Sequence, residues 1–379
     1  MDAGSDPDFV ACFLCGSRNS ADALVNVILF APLGLALALM GRTGIRWIGY
    51  AAALSATIEF AQLVIPGRDP SLSDVCFNTL GTAIGQLVAR VGLRSLASTE
   101  RTAARLSFVA SVAAVLVFGL TARLLAPMLP NSAYQVWWAP KLHQLEWYHA
   151  RGLHVRLGSM TLRAGDIPQT PEVRRLLRTG APLHLEAIAG PRVRSLGPLF
   201  VIADEREREV LLIGPDRDDL VLRYRTLAVE WGLDQPDLRL RRALSRSTRG
   251  DTLVIEASRS ANGTCLMLNG AGTCRLGYTI GNGWALLLFP EHFPTWLQQL
   301  LGATWVGAFL IPIGLWSRKR PETLLAAGIL VAGLLLLPGR NGLLPTPPLQ
   351  LLGAGVGWLF GAGLQAAFRK APSRMERHG

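Results

Sequence analysis

The sequence predicts a multi-pass α-helical membrane protein with an extracytoplasmic all-β jelly-roll (β-sandwich) domain. Half of the 379 residues are hydrophobic and 17% are charged, whereas about a quarter of the residues are charged in a soluble domain. The apolar residues are concentrated in long blocks near both ends of the chain, and the middle is more polar. These observations argue against a purely soluble protein and indicate membrane helices on either side of a globular region.

Seven apolar blocks are predicted to cross the membrane, because a helix that rises about 1.5 Å per residue covers a bilayer core of roughly 30 Å over such a length. The sixth block is the shortest. The blocks are 22–40, 45–65, 74–93, 107–129, 296–316, 324–337 and 349–368. The predicted domains are a four-span helical membrane domain (1–129), a β-sandwich (130–295), C-terminal membrane helices (296–370) and a cytoplasmic tail (371–379).

The placement of arginine predicts the orientation of the spans. Basic residues cluster in alternate loops, at 42–46, 90–105 and 318–320, and again after the last span. Because cytoplasmic loops are enriched in Lys and Arg, an N-terminus outside and a C-terminus inside satisfy this rule throughout. The same placement accounts for the net charge of +11, so membrane lipid is a predicted partner and nucleic acid is not.

The polar middle reads as a series of short strands. Alternating or short apolar runs are separated by turn residues at intervals near ten residues, which is typical of a β-sandwich or jelly roll. The predicted strands include 154–157, 183–188, 199–202, 210–213, 220–224, 252–256 and 284–288.

Two cysteines flank a predicted hairpin in this region. Cys265 and Cys274 lie on either side of an Asn-Gly turn at 269–270, which places the two sulfur atoms across the hairpin. A disulfide, which would require an oxidising compartment, and a pair of free thiols are equally compatible with this spacing.

Several polar residues lie in or beside the first three apolar blocks, where lipid makes them costly. Glu59 and Gln62 are one helical turn apart, and Asp74 and Asn78 are four residues apart, so each pair shares a helix face. The predicted polar pocket near the outer leaflet comprises Asn26, Glu59, Gln62, Arg68, Asp74 and Asn78. The alternative is that these groups only join neighbouring helices by hydrogen bonds.

The same blocks carry residues suited to close helix packing. Gly81 and Gly85 lie on nearly one face of the third block, and Pro32 and Gly34 follow Asn26 in the first. Small residues allow helix backbones to approach one another.

The order of these residues resembles the VanZ-like family of bacterial membrane proteins. The similar segments are Asn26-Val-Ile-Leu-Phe-Ala-Pro-Leu-Gly34, Glu59-Phe-Ala-Gln62, Pro66-Gly-Arg68 and Asp74-Val-Cys-Phe-Asn78 with Gly81 and Gly85, within about 21–129. The resemblance implies a small helical bundle in the bacterial cytoplasmic membrane. It also implies a link to resistance to the glycopeptide antibiotic teicoplanin, without an established reaction.

The middle region resembles the concanavalin-A-like and laminin-G-like jelly rolls. The similar runs are Gly197–Asp204, Val210–Asp216 and Asp219–Arg223. This resemblance implies binding of a glycan or a protein, in some cases with calcium. Asp216, Asp218 and Asp219 are either a calcium loop or an acidic turn between two strands. Four aromatic residues, Trp137, Trp138, Trp147 and Tyr148, either stack on sugars or form an interfacial aromatic belt.

Two hypotheses for function follow. In the favoured one the protein is not an enzyme: the jelly roll binds a glycan, peptidoglycan or an envelope protein, and the helices anchor it. In the alternative it is an outer-leaflet enzyme that acts on a lipid-linked or cell-wall substrate. Glu59 or Asp74 would then be the general base, and Arg68 would hold a phosphate or carboxylate. No cofactor is predicted for either hypothesis, and calcium enters only if the three aspartates form a calcium loop rather than an acidic turn.

Overall fold

The computed structural model describes residues 19–65, 71–96, 98–142, 145–260, 262–318 and 321–370. Long helices lie at both ends of the chain, and two antiparallel sheets form its middle. This arrangement confirms the predicted fold class.

Four long helices precede the sheets: α1 (Asn19–Leu39), α2 (Ile45–Gln62), α3 (Leu72–Leu96) and α4 (Glu100–Leu125). α3 packs against both α1 and α2. α4 begins at the cap Thr99, whose side chain accepts a hydrogen bond from the backbone N–H of Thr102. α4 packs against the C-terminal helices described below.

The β-sandwich contains twelve strands in the part of the chain that the structure describes, where about ten were expected. Its sheets have the orders β4-β1-β6-β7-β8-β9 and β12-β11-β10-β5-β2-β3, and every pairing is antiparallel. The strands are β1 (Tyr134–Trp138), β2 (Arg151–Leu157), β3 (Met160–Leu162), β4 (Gly165–Ile167), β5 (Leu183–Ile188), β6 (Phe200–Asp204), β7 (Glu209–Asp216), β8 (Asp219–Tyr224), β9 (Leu238–Leu240), β10 (Thr252–Ser260), β11 (Gly263–Leu268) and β12 (Ala271–Leu276).

One apolar core lies between the two sheets. Leu185 in one sheet and Phe200 and Ile213 in the other are fully buried in it. The alternation of buried and exposed positions in β5 and β11 matches the period of two that predicts strands. β6 and β7 are buried at nearly every position, so they read as continuous apolar runs.

Two short helices complete the sandwich region: α5 (Thr170–Thr179) and α6 (Leu227–Glu230). The prediction of a strand at 284–288 was wrong, because residues Ile280–Leu286 form a 3₁₀ helix. The side chains of Ile280 and Leu286 pack with α6 and α4 in a second core, between the sandwich and the helices.

Three long helices follow: α7 (Thr295–Leu315), α8 (Pro321–Arg340) and α9 (Pro348–Lys370). α8 extends beyond the short block predicted at 324–337 on both sides. α7 packs closely on α9, and α8 on α4. At the sandwich end, Gln350 of α9 donates a hydrogen bond to the hydroxyl of Thr279 (2.7 Å).

Five of the helices, α1, α4, α7, α8 and α9, are long and apolar enough to cross a membrane. α2 and α3 were also predicted to span, but they fall outside this set. Polar residues such as Glu59 in α2 and Asp74 and Gln86 in α3 lower the mean hydropathy of these two helices. The protein is therefore a multi-pass membrane protein in which α3 supplies a polar surface to α1 and α2.

Candidate functional site

Glu59 is the most buried acid of the predicted polar pocket. It lies in the last turn of α2, and its side chain is 8% exposed. The backbone N–H of Ser71, just before α3, donates a hydrogen bond to its Oε2 atom (2.9 Å). This contact fixes the carboxylate at the joint between α2 and α3.

Asp74 lies in the first turn of α3 beside other polar groups. The hydroxyl of Ser73 donates a hydrogen bond to its Oδ1 atom (3.4 Å). Asn26 of α1 lies near its carboxylate, and Glu59 and Asp22 are close enough to act on it through their charge. Asp22 was not part of the predicted pocket. Three helices therefore bring acidic side chains to one end of the bundle.

Asn78, which lies one turn further along α3 than Asp74, connects α3 to α2. Its amide nitrogen donates a hydrogen bond to the hydroxyl of Ser55 (2.9 Å), and both side chains are buried. Its amide oxygen has no hydrogen-bond partner within the described part of the chain. Gln62 is partly exposed at the end of α2, and Arg68 lies outside the described residues. The structure thus brings together Asn26, Glu59 and Asp74, with Asn78 below them.

Glycines permit the close approach of α1 and α3 that forms this cluster. A Cβ atom on Gly85 would lie 2.0 Å from the carbonyl oxygen of Ala31, and one on Gly34 would lie 2.0 Å from that of Thr82. Gly81 meets the backbone of α1 in the same way. Pro32 lies inside α1, and its side chain is exposed.

A second polar site lies on the sandwich, where β7, β8 and β9 meet the start of α7. Asp237 is its centre, with a side chain only 3% exposed. It accepts hydrogen bonds from Nε of Arg223 (2.6 Å) and from Nη2 of Arg239 (2.9 Å). Burial alone would lower the pKa of Arg223, but the charges of Asp237 and Glu209 outweigh it and raise that pKa.

The three aspartates considered for calcium surround this site. Asp216 pairs with Arg239 (2.7 Å) and Asp219 with Arg241 (2.9 Å). Asp218 lies 3.6 Å from Arg192. Each of the three aspartates therefore has an arginine close to it. In the described part of the chain, no group of three or more His, Cys, Asp or Glu side chains is arranged to hold a metal ion.

Two adjoining clefts open beside these ion pairs. One has a volume of about 460 Å³ and runs along the turn between β7 and β8. The other, of about 370 Å³, reaches Tyr278 and Gln298 near the start of α7. Both are lined by Asp237, Arg239 and Arg241. We call the two together the arginine groove. The sequence signal for it was the alternation Leu238-Arg-Leu-Arg241, which places two arginines on one strand face.

The four aromatic residues lie in β1 and in the segment between β1 and β2. Trp137 and Trp138 are part of β1, which pairs with β6. Tyr148 is buried, and its hydroxyl oxygen accepts a hydrogen bond from the backbone N–H of Gly190 (3.0 Å). Trp147 is 47% exposed, and its ring lies 3.9 Å from that of His149.

The predicted hairpin forms with a disulfide between Cys265 and Cys274. Asn269 and Gly270 both have positive φ angles, as a two-residue hairpin turn requires. The Asn269 side chain also accepts a hydrogen bond from the backbone N–H of Val254 (2.7 Å), which ties the turn to β10.

The fold and these sites define a multi-pass membrane protein with a β-sandwich between two sets of helices. Residues 6–94 match the family model VanZ/LLP1, so the N-terminal helices form a VanZ/LLP1 domain. This match confirms the resemblance of the N-terminal helices to the VanZ-like family. The matched region ends before α4, whereas the similarity predicted from the sequence extends to about residue 129. No curated protein and no solved structure matches the chain.

Proposed function

We propose that this protein is a VanZ/LLP1-domain component of the bacterial cytoplasmic membrane whose β-sandwich binds an envelope glycan such as peptidoglycan. The arginine groove is the observation that carries the proposal. A sugar hydroxyl both donates and accepts hydrogen bonds, whereas arginine only donates and an ionised carboxylate only accepts. Arginines and aspartates alternate along the groove, so neighbouring hydroxyls find both kinds of partner.

The position of the groove supports an envelope ligand. Its second cleft is lined by Thr295 and Gln298 of α7, a helix apolar enough to cross the membrane. A glycan in the groove therefore lies close to the membrane surface, where wall precursors and the innermost wall strands are found. This position also suits a ligand that is tethered to lipid.

The charge distribution supports a sandwich that faces away from the cytoplasm. The ends of the long helices opposite the sandwich carry Arg42, Arg94, Arg101 and Arg369. The positive-inside rule assigns this end to the cytoplasm. An oxidising compartment outside it also suits the Cys265–Cys274 disulfide.

Binding is tested with the full-length protein in detergent against a glycan panel and purified peptidoglycan. We expect saturable binding that falls about tenfold, or roughly 1.4 kcal/mol, in Arg241→Gln. Arg241 is 41% exposed, and Arg175, which is 61% exposed and paired with Glu172 on α5, is the matched control. Equal binding by both variants would contradict a role for the groove, and absence of binding by the folded protein would contradict the proposal.

The same measurement with a calcium chelator tests the three aspartates. If Asp216, Asp218 and Asp219 hold calcium when a glycan binds, chelation weakens binding in the wild type. If they serve only as arginine partners, chelation leaves the dissociation constant unchanged. If the sandwich instead binds an envelope protein, the full-length chain should capture that protein, and free glycan should not compete with it.

The family suggests a phenotype, which we propose as teicoplanin resistance. Expression of the chain in a susceptible host should raise the inhibitory concentration of teicoplanin. An unchanged concentration, with the protein present in the membrane, would contradict this part of the proposal.

A second candidate function is that of an outer-leaflet enzyme. It is supported by Glu59 and Asp74, which lie close together beside Asn26. Paired carboxylates in a restricted environment can act as a general acid and base. If it holds, Glu59→Gln should abolish the phenotype without lowering the amount of protein in the membrane. Glu322→Gln, in the first turn of α8 and at the end of the helices opposite the sandwich, is the control. Loss of the Glu59→Gln protein from the membrane would support a purely structural role for Glu59.

A further inference from the structure

Arg318 is a buried cation with unused hydrogen-bond donors. It follows α7 at the end of the bundle opposite the sandwich, and it is 9% exposed. Its Nη1 atom donates to the backbone oxygens of Ser317 (2.8 Å) and Leu315 (3.3 Å). Among the residues that the structure describes, its Nε and Nη2 atoms have no hydrogen-bond partner. An arginine with two unsatisfied buried donors is costly unless an anion approaches it.

A second arginine lies nearby and increases this cost. Burial lowers the pKa of Arg318, and the charge of Arg369 near the end of α9 lowers it further, while Glu100 at the start of α4 acts in the opposite direction. The charge of Arg369 therefore acts on Arg318, and an anion that binds the donors of Arg318 is attracted by both guanidinium groups. The planar fork of donors in arginine suits phosphate, which it binds through two parallel hydrogen bonds.

The surroundings place this site at the level of lipid headgroups. The indole nitrogen of Trp316 donates to the hydroxyl of Ser95 at the end of α3 (2.8 Å), and that of Trp358 donates to the hydroxyl of Ser317 (3.0 Å). Tryptophan is enriched where membrane helices meet the headgroup region. Basic pockets between helix ends on the cytoplasmic side recognise anionic headgroups.

We propose that Arg318 and Arg369 bind the phosphate of an anionic phospholipid headgroup at the end of the bundle opposite the sandwich. The lipid phosphate satisfies the free donors of Arg318 and relieves its repulsion with Arg369. Because the lipid would bind only the folded protein, it should stabilise the C-terminal helices. This site is independent of the arginine groove and of any glycan.

The test uses the full-length protein in a neutral detergent, to which phosphatidylglycerol or phosphatidylcholine is added. Ligand that binds only the folded state raises the unfolding temperature. We expect phosphatidylglycerol, but not phosphatidylcholine, to raise it in the wild type. The increase should be lost in Arg318→Gln and retained in Arg340→Gln, an exposed arginine at the sandwich end of α8.

Native mass spectrometry provides a second readout that does not depend on stability. We expect at least tenfold weaker retention of phosphatidylglycerol by Arg318→Gln. If this variant does not fold, Arg369→Gln, which alters an exposed side chain, should weaken retention in the same direction. Equal retention by the wild type and the folded variants would overturn the proposal.

Inorganic phosphate and glycerol 3-phosphate distinguish a lipid from a soluble ligand. If the lipid is the ligand, neither compound reproduces the rise in unfolding temperature at the concentration at which phosphatidylglycerol is saturating. A full rise with either compound would overturn the assignment to lipid. Absence of any rise with phosphatidylglycerol would overturn the site itself.

Discussion

Asp204 is a fully buried carboxylate at the end of β6, and the turn into β7 is built around it. Its Oδ1 atom accepts hydrogen bonds from the backbone N–H groups of Arg206 (3.0 Å) and Arg208 (2.9 Å). The guanidinium of Arg208 lies 2.7 Å from its Oδ2 atom. Three donor groups thus converge on one buried side chain.

We predict that Asp204→Ala destabilises the sandwich by about 2 kcal/mol, because the backbone N–H groups of Arg206 and Arg208 lose the buried carboxylate that accepts their hydrogen bonds. Hydrogen exchange of residues 200–216 in the full-length protein measures the change. Asp166→Ala, at an exposed position of β4, is the control and should leave exchange unaltered. Equal exchange in the two variants would show that the carboxylate adds no stability.

The same residue predicts a pH dependence. Burial would raise the pKa of Asp204, but the hydrogen bonds from Arg208 and Arg206 outweigh it and lower that pKa. A carboxylate whose folded pKa is depressed adds stability above its unfolded pKa of about 3.9 and loses it as the pH falls through the folded value. The urea midpoint, followed by circular dichroism, should therefore fall more steeply below about pH 4 in the wild type than in Asp204→Asn.

Sequence reasoning at this scale located acids but not their partners. Glu59 and Asp74 were recognisable because a charge inside an apolar block is unusual. The partner of Glu59 is the backbone N–H of Ser71, which any residue would supply, so no signal in the sequence points to it. Ser55, whose hydroxyl accepts a hydrogen bond from Asn78, gave no signal either, since serine is common in membrane helices. The arginine groove was missed because its aspartates and arginines are some 20 residues apart and meet only when β8 pairs with β9.

At the scale of elements, the contact between α1 and α3 depends on glycine at specific positions. We predict that Gly85→Ala lowers the unfolding temperature and the yield of membrane-inserted protein, because a methyl group there would overlap the backbone of α1. Gly92 lies in the same helix, and nothing lies within 4 Å of the position of its added Cβ.

Gly92→Ala is therefore the matched control, and the higher helix propensity of alanine, by up to about 1 kcal/mol, should leave that variant as stable as the wild type or more so. Thermal unfolding of the two purified proteins in the same detergent measures the difference. Equal stability of Gly85→Ala and Gly92→Ala would mean that α1 and α3 accommodate the methyl group without loss of stability. The close packing at Gly85 would then have no energetic importance.

Two elements were predicted wrongly or missed, each for its own physical reason. The run Trp284–Leu288 is continuously apolar, and such a run does not distinguish a buried strand from a buried helix. The segment forms a 3₁₀ helix because it fills the space between the sandwich and the helices, where Ile280 is fully buried. β1 was missed because its two tryptophans follow an apolar helix closely and resemble an interfacial belt.

The whole molecule combines a polar, acid-rich end of the VanZ/LLP1 domain with a sandwich that packs on the other helices. α4 links the two parts: it follows the family match, yet it packs against α7 and α8 rather than continuing the bundle of α1 to α3. The β-sandwich joins the helices through α6 and the adjacent 3₁₀ helix, which are buried against α4 and α7. The arginine groove is lined in part by Thr295 and Gln298 of α7, so the groove and this helix are in direct contact.

Orientation is the prediction on which the proposed function as a whole depends. Arg175 lies on the exposed face of α5 in the sandwich, and Arg101 is exposed at the opposite end of the bundle. With the other free cysteines replaced by serine, Arg175→Cys should react with a membrane-impermeant maleimide in intact cells. Arg101→Cys should react only after permeabilisation, because the basic end of the helices is retained in the cytoplasm. The reverse pattern would place the sandwich in the cytoplasm, where a cell-wall glycan could not reach the arginine groove and the Cys265–Cys274 disulfide would be reduced.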